Sequence, residues 1–95
     1  MSAIEITKEQ DKRLSESRQL IHDAHMISYG SYIEQEASKF DTWRDQTYWQ
    51  LVQHLRHEVD ELERSKTRVA QLHNAIDACS LASIIIGRHM LEERK

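Results

Sequence analysis

Apolar residues recur at steps of three and four through segment 48–62, and this spacing constrains the fold more than any other feature of the sequence. At 100° per residue, such positions form one stripe along an α-helix. Two carboxylates, Glu58 and Glu61, lie together along one border of the stripe. The segment therefore predicts a helix with one buried face and an acidic pair at the core edge. The stripe consists of Tyr48, Val52, Leu55, Val59 and Leu62.

Residues that end helices are scarce in this chain. It has no proline and only two glycines, so it lacks the turn residues that strands and hairpins need. Its 95 residues with 39% apolar content are enough for one hydrophobic core and too few for two. We predict a single all-α domain over residues 1–95, in which residues 1–6 are a lead-in.

Capping signals divide the first part of the chain. Thr7 and Gln10 have the spacing of a capping box, which predicts a first helix from there to about Ile27. Gly30 can supply the left-handed geometry that ends a helix. A separate short helix or helical turn is then expected over 31–40.

The remaining residues are expected to form an antiparallel helical hairpin, which would be the core of the bundle. Asp41 or Thr42 would cap a central helix over about 43–64. Segment 65–67, Ser-Lys-Thr, is the turn into the last helix.

The last helix is apolar on two opposite sides, and such a helix needs cover on both. One side would pack on the central helix. For the other we expect a second subunit across a two-fold axis, which gives a homodimer or a dimer of dimers. Cover by the first helix is the alternative. The side assigned to the central helix is Val69, Leu72, Ile76, Cys79, Ser83 and Met90, and the opposite side is Ala78, Leu81, Ala82 and Ile85.

Charge and cysteine content exclude several classes of function. The net charge is −3, and the 13 Lys and Arg residues are scattered, so a nucleic acid duplex is not an expected partner. The single cysteine, Cys79, lies in an apolar run and is expected to be a reduced, buried thiol. The longest uninterrupted apolar run is 84–86, and no export signal is recognisable. We expect a soluble, cytoplasmic protein without a membrane segment.

Four oxygen-bearing side chains are expected to face one another across the hairpin. Counting from the turn places Glu61 level with Asn74, and Glu58 level with Asp77. Like charges at a core edge are unfavourable unless a cation neutralises them. Carboxylate oxygens suit Mg²⁺, or alternatively Mn²⁺. Solvated charges beside a core helix are the other interpretation.

Segment 54–62, HLRHEVDEL, together with Asp77, resembles the MazG-like all-α nucleoside triphosphate pyrophosphohydrolases. Their signature is E-x-x-E followed by E-x-x-D. The segment is similar in particular to H-[IL]-x-K-E-[IL]-x-E-[IL] of the phage-type dATP/dGTP pyrophosphohydrolase branch. The similarity spans residues 40–89, with Phe40 and Arg88 in roughly matching places.

The resemblance implies a dimeric or tetrameric helical fold and Mg²⁺-dependent hydrolysis at the α–β phosphate linkage, giving a nucleoside monophosphate and pyrophosphate. It implies that Glu58, Glu61 and Asp77 bind metal and act in catalysis. Asn74 stands where the family has glutamate, and this amide would complete the metal site with no negative charge. Ile84 replaces an acidic residue that sometimes occurs there.

Substrate contacts are expected around this site. His54, one turn before Glu58, would orient a carboxylate or contact phosphate. Trp43 or Trp49 would stack on the base, with core packing as the alternative for both. Candidate phosphate contacts are Arg44, Lys66 and, through the resemblance, Arg88.

Two other functions compete with the hydrolase. One is an interaction module, a helical dimer in which the acidic site has decayed, as Asn74 would suggest. The other is a di-iron helical bundle, but the sequence lacks the E-x-x-H repeat that such bundles carry on two helices. A zinc protease of the H-E-x-x-H type is excluded, because Glu61 occupies the position of the second histidine.

Overall fold

A computed structural model describes residues 7–39 and 41–94, and every regular element in them is helical. Three α-helices follow one another: α1 (Lys8–Lys39), α2 (Tyr48–Arg64) and α3 (Arg68–Glu93). A single 3₁₀ turn, Thr42–Asp45, lies between α1 and α2. The all-α prediction is confirmed. The lead-in over residues 1–6 and the expectation for Phe40 lie outside the described residues.

The first helix is longer than the sequence predicts. Its start is confirmed, since Gln10 N donates to Thr7 Oγ1 at 3.1 Å and Thr7 N donates to Gln10 Oε1 at 2.9 Å. The predicted break near Gly30 is wrong, because the helix continues through it to Lys39. A helical glycine costs only about 1 kcal/mol. Packing on both sides of Gly30, through Ser28 and Tyr32, offsets that cost.

The central helix begins later than the sequence predicts. Neither Asp41 nor Thr42 caps α2. Asp41 precedes the 3₁₀ turn, and its side chain makes no capping hydrogen bond. Gln46, which is extended, separates this turn from α2. Thr47 is the cap: its Oγ1 accepts from Gln50 N at 3.2 Å, and its own N–H donates to Gln50 Oε1 at 2.8 Å. This capping box fixes the start of α2 because it satisfies two backbone donors at once.

The antiparallel hairpin of α2 and α3 is confirmed, with its turn at 65–67. Ser65 ends α2, and its Oγ donates to Glu61 O at 2.8 Å. Thr67 caps α3 by accepting from Ala70 N at 3.1 Å. Hydrogen bonds from polar side chains thus fix this turn, which contains no glycine or proline.

The buried face of α2 differs from the predicted stripe. Leu51 is 1% exposed, whereas Tyr48 and Val59, two members of the stripe, are 45% and 46% exposed. Half-buried positions continue the line of Leu51 at Leu55, Glu58 and Leu62. The inward face of α2 therefore includes Glu58 itself.

The two faces of α3 are exchanged relative to the prediction. Leu81, assigned to the subunit interface, lines a cavity with Leu51 of α2. Val69 and Leu72, assigned to the contact with α2, are 79% and 61% exposed. Spacing identifies two apolar faces on one helix but does not show which of them packs on α2. The prediction chose the wrong face for this reason.

The first helix packs on α3 of the hairpin. The structure measures 49 × 41 × 23 Å. The two helices meet at buried Ser28 and Ser80, whose hydroxyls are 3.1 Å apart. Ser80 Oγ also lies 3.3 Å from Ser28 O. Small residues at this crossing allow the backbones to approach closely.

One described helix, α3, is long and apolar enough to cross a membrane by length and composition. Only 6% of its most apolar stretch is buried within the structure. Core and interface helices of water-soluble proteins meet the same criterion. Asp77 lies within α3, and a carboxylate in a lipid environment is unfavourable.

Candidate functional site

A cavity of about 140 Å³ lies where the C-terminal half of α1 meets the hairpin. Three carboxylates line it, one from each helix: Glu36, Glu58 and Asp77. Lys39 and His54, two exposed residues with basic side chains, also line it. The cavity therefore combines oxygen ligands suited to a hard cation with basic groups suited to phosphate.

Glu58 is the most constrained of these carboxylates. It lies on the inward face of α2, and its Oε2 atom is shielded from solvent without a hydrogen-bond partner among the described residues. A shielded carboxylate oxygen without a partner is energetically unfavourable, and native proteins seldom retain one without a reason. This oxygen of Glu58 therefore contributes no hydrogen bond to the fold.

Asp77 approaches the cavity from α3. Its side chain is 20% exposed, and Oδ2 lies 3.4 Å from Nε2 of His73, one turn earlier on the helix. The histidine is 73% exposed and lies outside the cavity lining. It can hold one carboxylate oxygen in place while the group still lines the cavity.

Two of the four expected metal ligands lie outside the cavity. Glu61 is directed outward, with Oε1 3.0 Å from Nε2 of His57 on the helix surface. Asn74 belongs to the turn: its Nδ2 donates to Ser65 Oγ at 2.6 Å and lies 3.4 Å from Glu61 O. The predicted four-sided arrangement is thus not formed, because these groups are engaged within the hairpin.

Among the predicted substrate contacts, His54 and Trp43 lie at the cavity. Trp43 Nε1 donates to the hydroxyl of Tyr32 at 3.0 Å, and its ring passes over Gly87, where an added Cβ would lie 3.9 Å from it. Trp49 is 70% exposed and packs edge-on against Tyr48, with ring centroids 5.2 Å apart. Of the two tryptophans, only Trp43 borders the cavity.

The three cationic candidates lie elsewhere. Arg44 pairs with Asp41 on the surface at 3.5 Å, and Lys66 is exposed in the turn between α2 and α3. Arg88 Nε donates to Gln46 O at 3.3 Å, and its guanidinium pairs with Glu92. None of the three lines the acidic cavity. Their substrate roles stay predictions.

Sequence reasoning missed the contribution of α1. Tyr32, Gln35, Glu36 and Lys39 all line the cavity, and their spacing of one, three and four is that of one helix face. This spacing is visible in the sequence, but the predicted helix break at Gly30 assigned these residues to a separate short element. Burial and a hydrogen bond from its hydroxyl to Glu36 raise the pKa of Tyr32, although the bond from Trp43 acts in the opposite direction.

A divalent cation fits this donor set in part. Among residues 7–39 and 41–94, no three His, Cys, Asp or Glu side chains lie close enough together to form a ready-made metal group. Mg²⁺, however, usually keeps several waters and takes one or two carboxylates from protein. The shielded oxygen of Glu58 and the neighbouring Asp77 meet that smaller requirement.

Comparisons of the chain with family models, with curated proteins and with solved structures give no match.

Proposed function

We propose that this protein is a Mg²⁺-dependent nucleoside triphosphate pyrophosphohydrolase whose site is the acidic cavity. The proposal rests on one observation above all, the shielded and unpaired Oε2 of Glu58 in a cavity shared with Asp77 and Glu36. The resemblance of segment 54–62 to the MazG-like enzymes supplies the reaction. The proposed ligand set departs from that resemblance, since Glu61 and Asn74 are replaced by Glu36.

Each residue then has a defined part. Glu58 and Asp77, with Glu36 beside them, would hold the cation, and the cation would neutralise phosphate charge and acidify a water molecule. A carboxylate of the cavity accepts the proton of the attacking water. The water oxygen bonds to phosphorus at the α–β linkage, and pyrophosphate leaves. Lys39 and His54 contact the phosphate oxygens.

The size of the cavity limits what it holds. Ligand pockets for whole small molecules usually measure about 300 to 1,000 Å³, whereas this one measures about 140 Å³. It accommodates part of a triphosphate, and the nucleoside lies outside. Trp43 borders the cavity and offers the base a stacking surface.

The first test is phosphorus NMR of a panel of NTPs and dNTPs incubated with the protein, in Mg²⁺ and then in Mn²⁺. Pyrophosphate and a nucleoside monophosphate should appear. Release of inorganic phosphate alone would contradict the proposed cleavage position. No turnover of any nucleotide would contradict the enzyme.

A matched pair of variants separates the cavity from the sequence motif. Glu58→Gln should abolish turnover, because it removes the charge of the shielded carboxylate. Glu61→Gln should leave turnover within a few-fold of the wild type, because Glu61 faces solvent beside His57. Equal loss in both variants would favour the motif ligand set over the one proposed.

An interaction module is the second candidate, and the position of Asn74 favours it. Where the family carries a metal-binding glutamate, this chain has an amide that closes the turn at Ser65. A protein that has lost its chemistry would retain such a structural residue. Absence of both turnover and Mg²⁺-dependent line broadening of nucleotide signals would make this the better account.

A further inference from the structure

The first twenty residues of α1 contact almost nothing in this chain. Every residue from Thr7 to Ile27 is exposed. We call residues 8–27 the arm. Leu14, Ile21 and Ala24 lie along it on the face that, one turn later, buries Ser28 against α3. An isolated helix of this mixed composition is only marginally stable in water. The arm therefore needs a partner for that face.

A second apolar face runs along α3, exposed towards both ends and half-buried at Ile76 and Cys79. Its residues are spaced by alternating steps of three and four, the pattern by which one helix packs along another. The ends of this face are the most exposed, with Val69 at 79%, Leu72 at 61% and Ile86 at 61%. We call this face the seam, and it comprises Val69, Leu72, Ile76, Cys79, Ser83, Ile86 and Met90.

The described part of the chain buries little apolar surface, and the chain exposes more surface than a folded monomer of its size. Among the described residues Leu51 is the only apolar side chain that is fully buried. The accessible surface is 8297 Å², whereas a folded monomer of 11.3 kDa should expose about 5,700 Å². The excess is roughly 2,600 Å² per chain, and obligate dimers bury about 1,000 to 2,500 Å² per partner. A surface of this size is what a second copy of this chain would cover.

We propose that the arm of one copy packs on the seam of a second copy, reciprocally, around a two-fold axis. An apolar cavity of about 300 Å³ marks the corner where arm and seam diverge, between His25 and Tyr29 on α1 and Cys79 and Ser83 on α3. The same corner on a second copy faces this one under two-fold symmetry, and each arm then covers the other seam.

The arm itself argues for a protein partner rather than a lipid surface. Charges of both signs flank its apolar line: Lys12, Arg13, Glu16, Arg18 and Asp23. A membrane-binding helix instead carries a wide apolar face opposite a predominantly basic one. Cys79 and Ser83 at the middle of the seam, and Ala24 near the end of the arm, are small enough to allow two helices to approach closely.

Sedimentation equilibrium between about 1 and 100 μM tests the proposal, with Ile21→Glu on the arm and Leu72→Glu on the seam. The wild type should be a dimer, and each variant should raise the dimer dissociation constant at least 100-fold. Val59→Glu is the matched control, because Val59 is an exposed apolar residue on α2. It should leave the constant within about three-fold.

Mixing the two variants distinguishes arm on seam from seam on seam. In a mixed dimer one of the two contacts pairs a wild-type arm with a wild-type seam, so the mixture should associate more tightly than either variant alone. If Ile21→Glu has no effect, the seams pair with each other and the proposal is wrong. A monomeric wild type, or dissociation by Val59→Glu alone, would also overturn it.

Hydrogen exchange of the wild type avoids the risk that a variant fails to fold. Amides of the arm should be protected, and the protection should increase with protein concentration. Rapid exchange at every concentration would contradict the contact. These readouts do not depend on turnover, so they stand or fall separately from the proposed hydrolase.

Discussion

Two levels of the hairpin, one helical turn apart, carry similar polar residues in opposite circumstances. At the turn level, Glu61 pairs with His57 and Asn74 bonds to Ser65. At the cavity level, Glu58 has a shielded oxygen without a partner, and Asp77 lines the same cavity. The polar groups at the turn level are paired within the fold, whereas at the cavity level one carboxylate oxygen makes no hydrogen bond. Each level pairs a glutamate of α2 with an amide or carboxylate side chain of α3, so burial and hydrogen bonding distinguish the two levels.

The largest expected effect is on activity, and it compares the two levels on α3. Asp77→Asn should reduce turnover of the nucleotide identified by NMR at least 100-fold, because the cavity loses one of its carboxylates. Asn74→Glu should not raise turnover, since position 74 lies at the turn. A gain of activity in Asn74→Glu would show that the turn level belongs to the metal site, and the comparison would fail.

The next effect is on stability at the turn level. Asn74→Ala should lower the free energy of unfolding by about 1 to 2 kcal/mol, because Ser65 Oγ and Glu61 O lose a donor. Urea denaturation measures this. Asn74→Asp should not restore the loss, because a carboxylate cannot donate. If Asn74→Ala is as stable as the wild type, Asn74 has no structural role at the turn.

The cavity level should respond in the opposite direction. Glu58→Met should raise the free energy of unfolding by about 1 kcal/mol while it abolishes turnover, because it removes a shielded carboxylate oxygen that has no partner. Metal-free buffer is required for the comparison. Glu61→Met, on the solvent side, is the control and should give no gain. Destabilisation by Glu58→Met would mean that this carboxylate has a structural role.

A smaller effect concerns the wall that α1 contributes. Tyr32→Phe should cost about 1 kcal/mol or less, because Trp43 Nε1 loses its acceptor. Burial raises the pKa of Tyr32, so folding favours the protonated phenol. Its contribution is present below about pH 10 and is lost as the pH rises through the raised pKa. The difference between wild type and variant should therefore be constant up to about pH 10 and shrink as the pH rises above it.

The smallest effect is at the surface of the turn level. Glu61→Ala should change the free energy of unfolding by only a few tenths of a kcal/mol, because its pair with His57 is a solvent-exposed i,i+4 contact. Salt should reduce even that difference. A cost above about 1 kcal/mol would show that Glu61 is coupled to the fold more strongly than its exposure indicates.

The sequence alone determined the helical class and several local boundaries. The absence of proline predicted the helical class, which is confirmed. The capping box at Thr7 and the turn at 65–67 act over three or four residues, and both are confirmed. The pair Glu58 and Asp77 was also identified from spacing, and the structure brings both to one cavity. Local hydrogen bonding and helical periodicity suffice for such predictions.

Only the tertiary structure decided which faces are buried and which polar groups are engaged. The first helix continues through Gly30, with Ser28 bonded to Ser80 of α3 before it and Tyr32 bonded to Trp43 of the 3₁₀ turn after it. This brings Glu36 and Lys39 to the cavity. The two apolar faces of α3 exchange roles, and Asn74 bonds to Ser65 across the turn. These outcomes depend on contacts between residues far apart in the chain. A periodic pattern shows that a face exists, and only its neighbours determine what the face contacts.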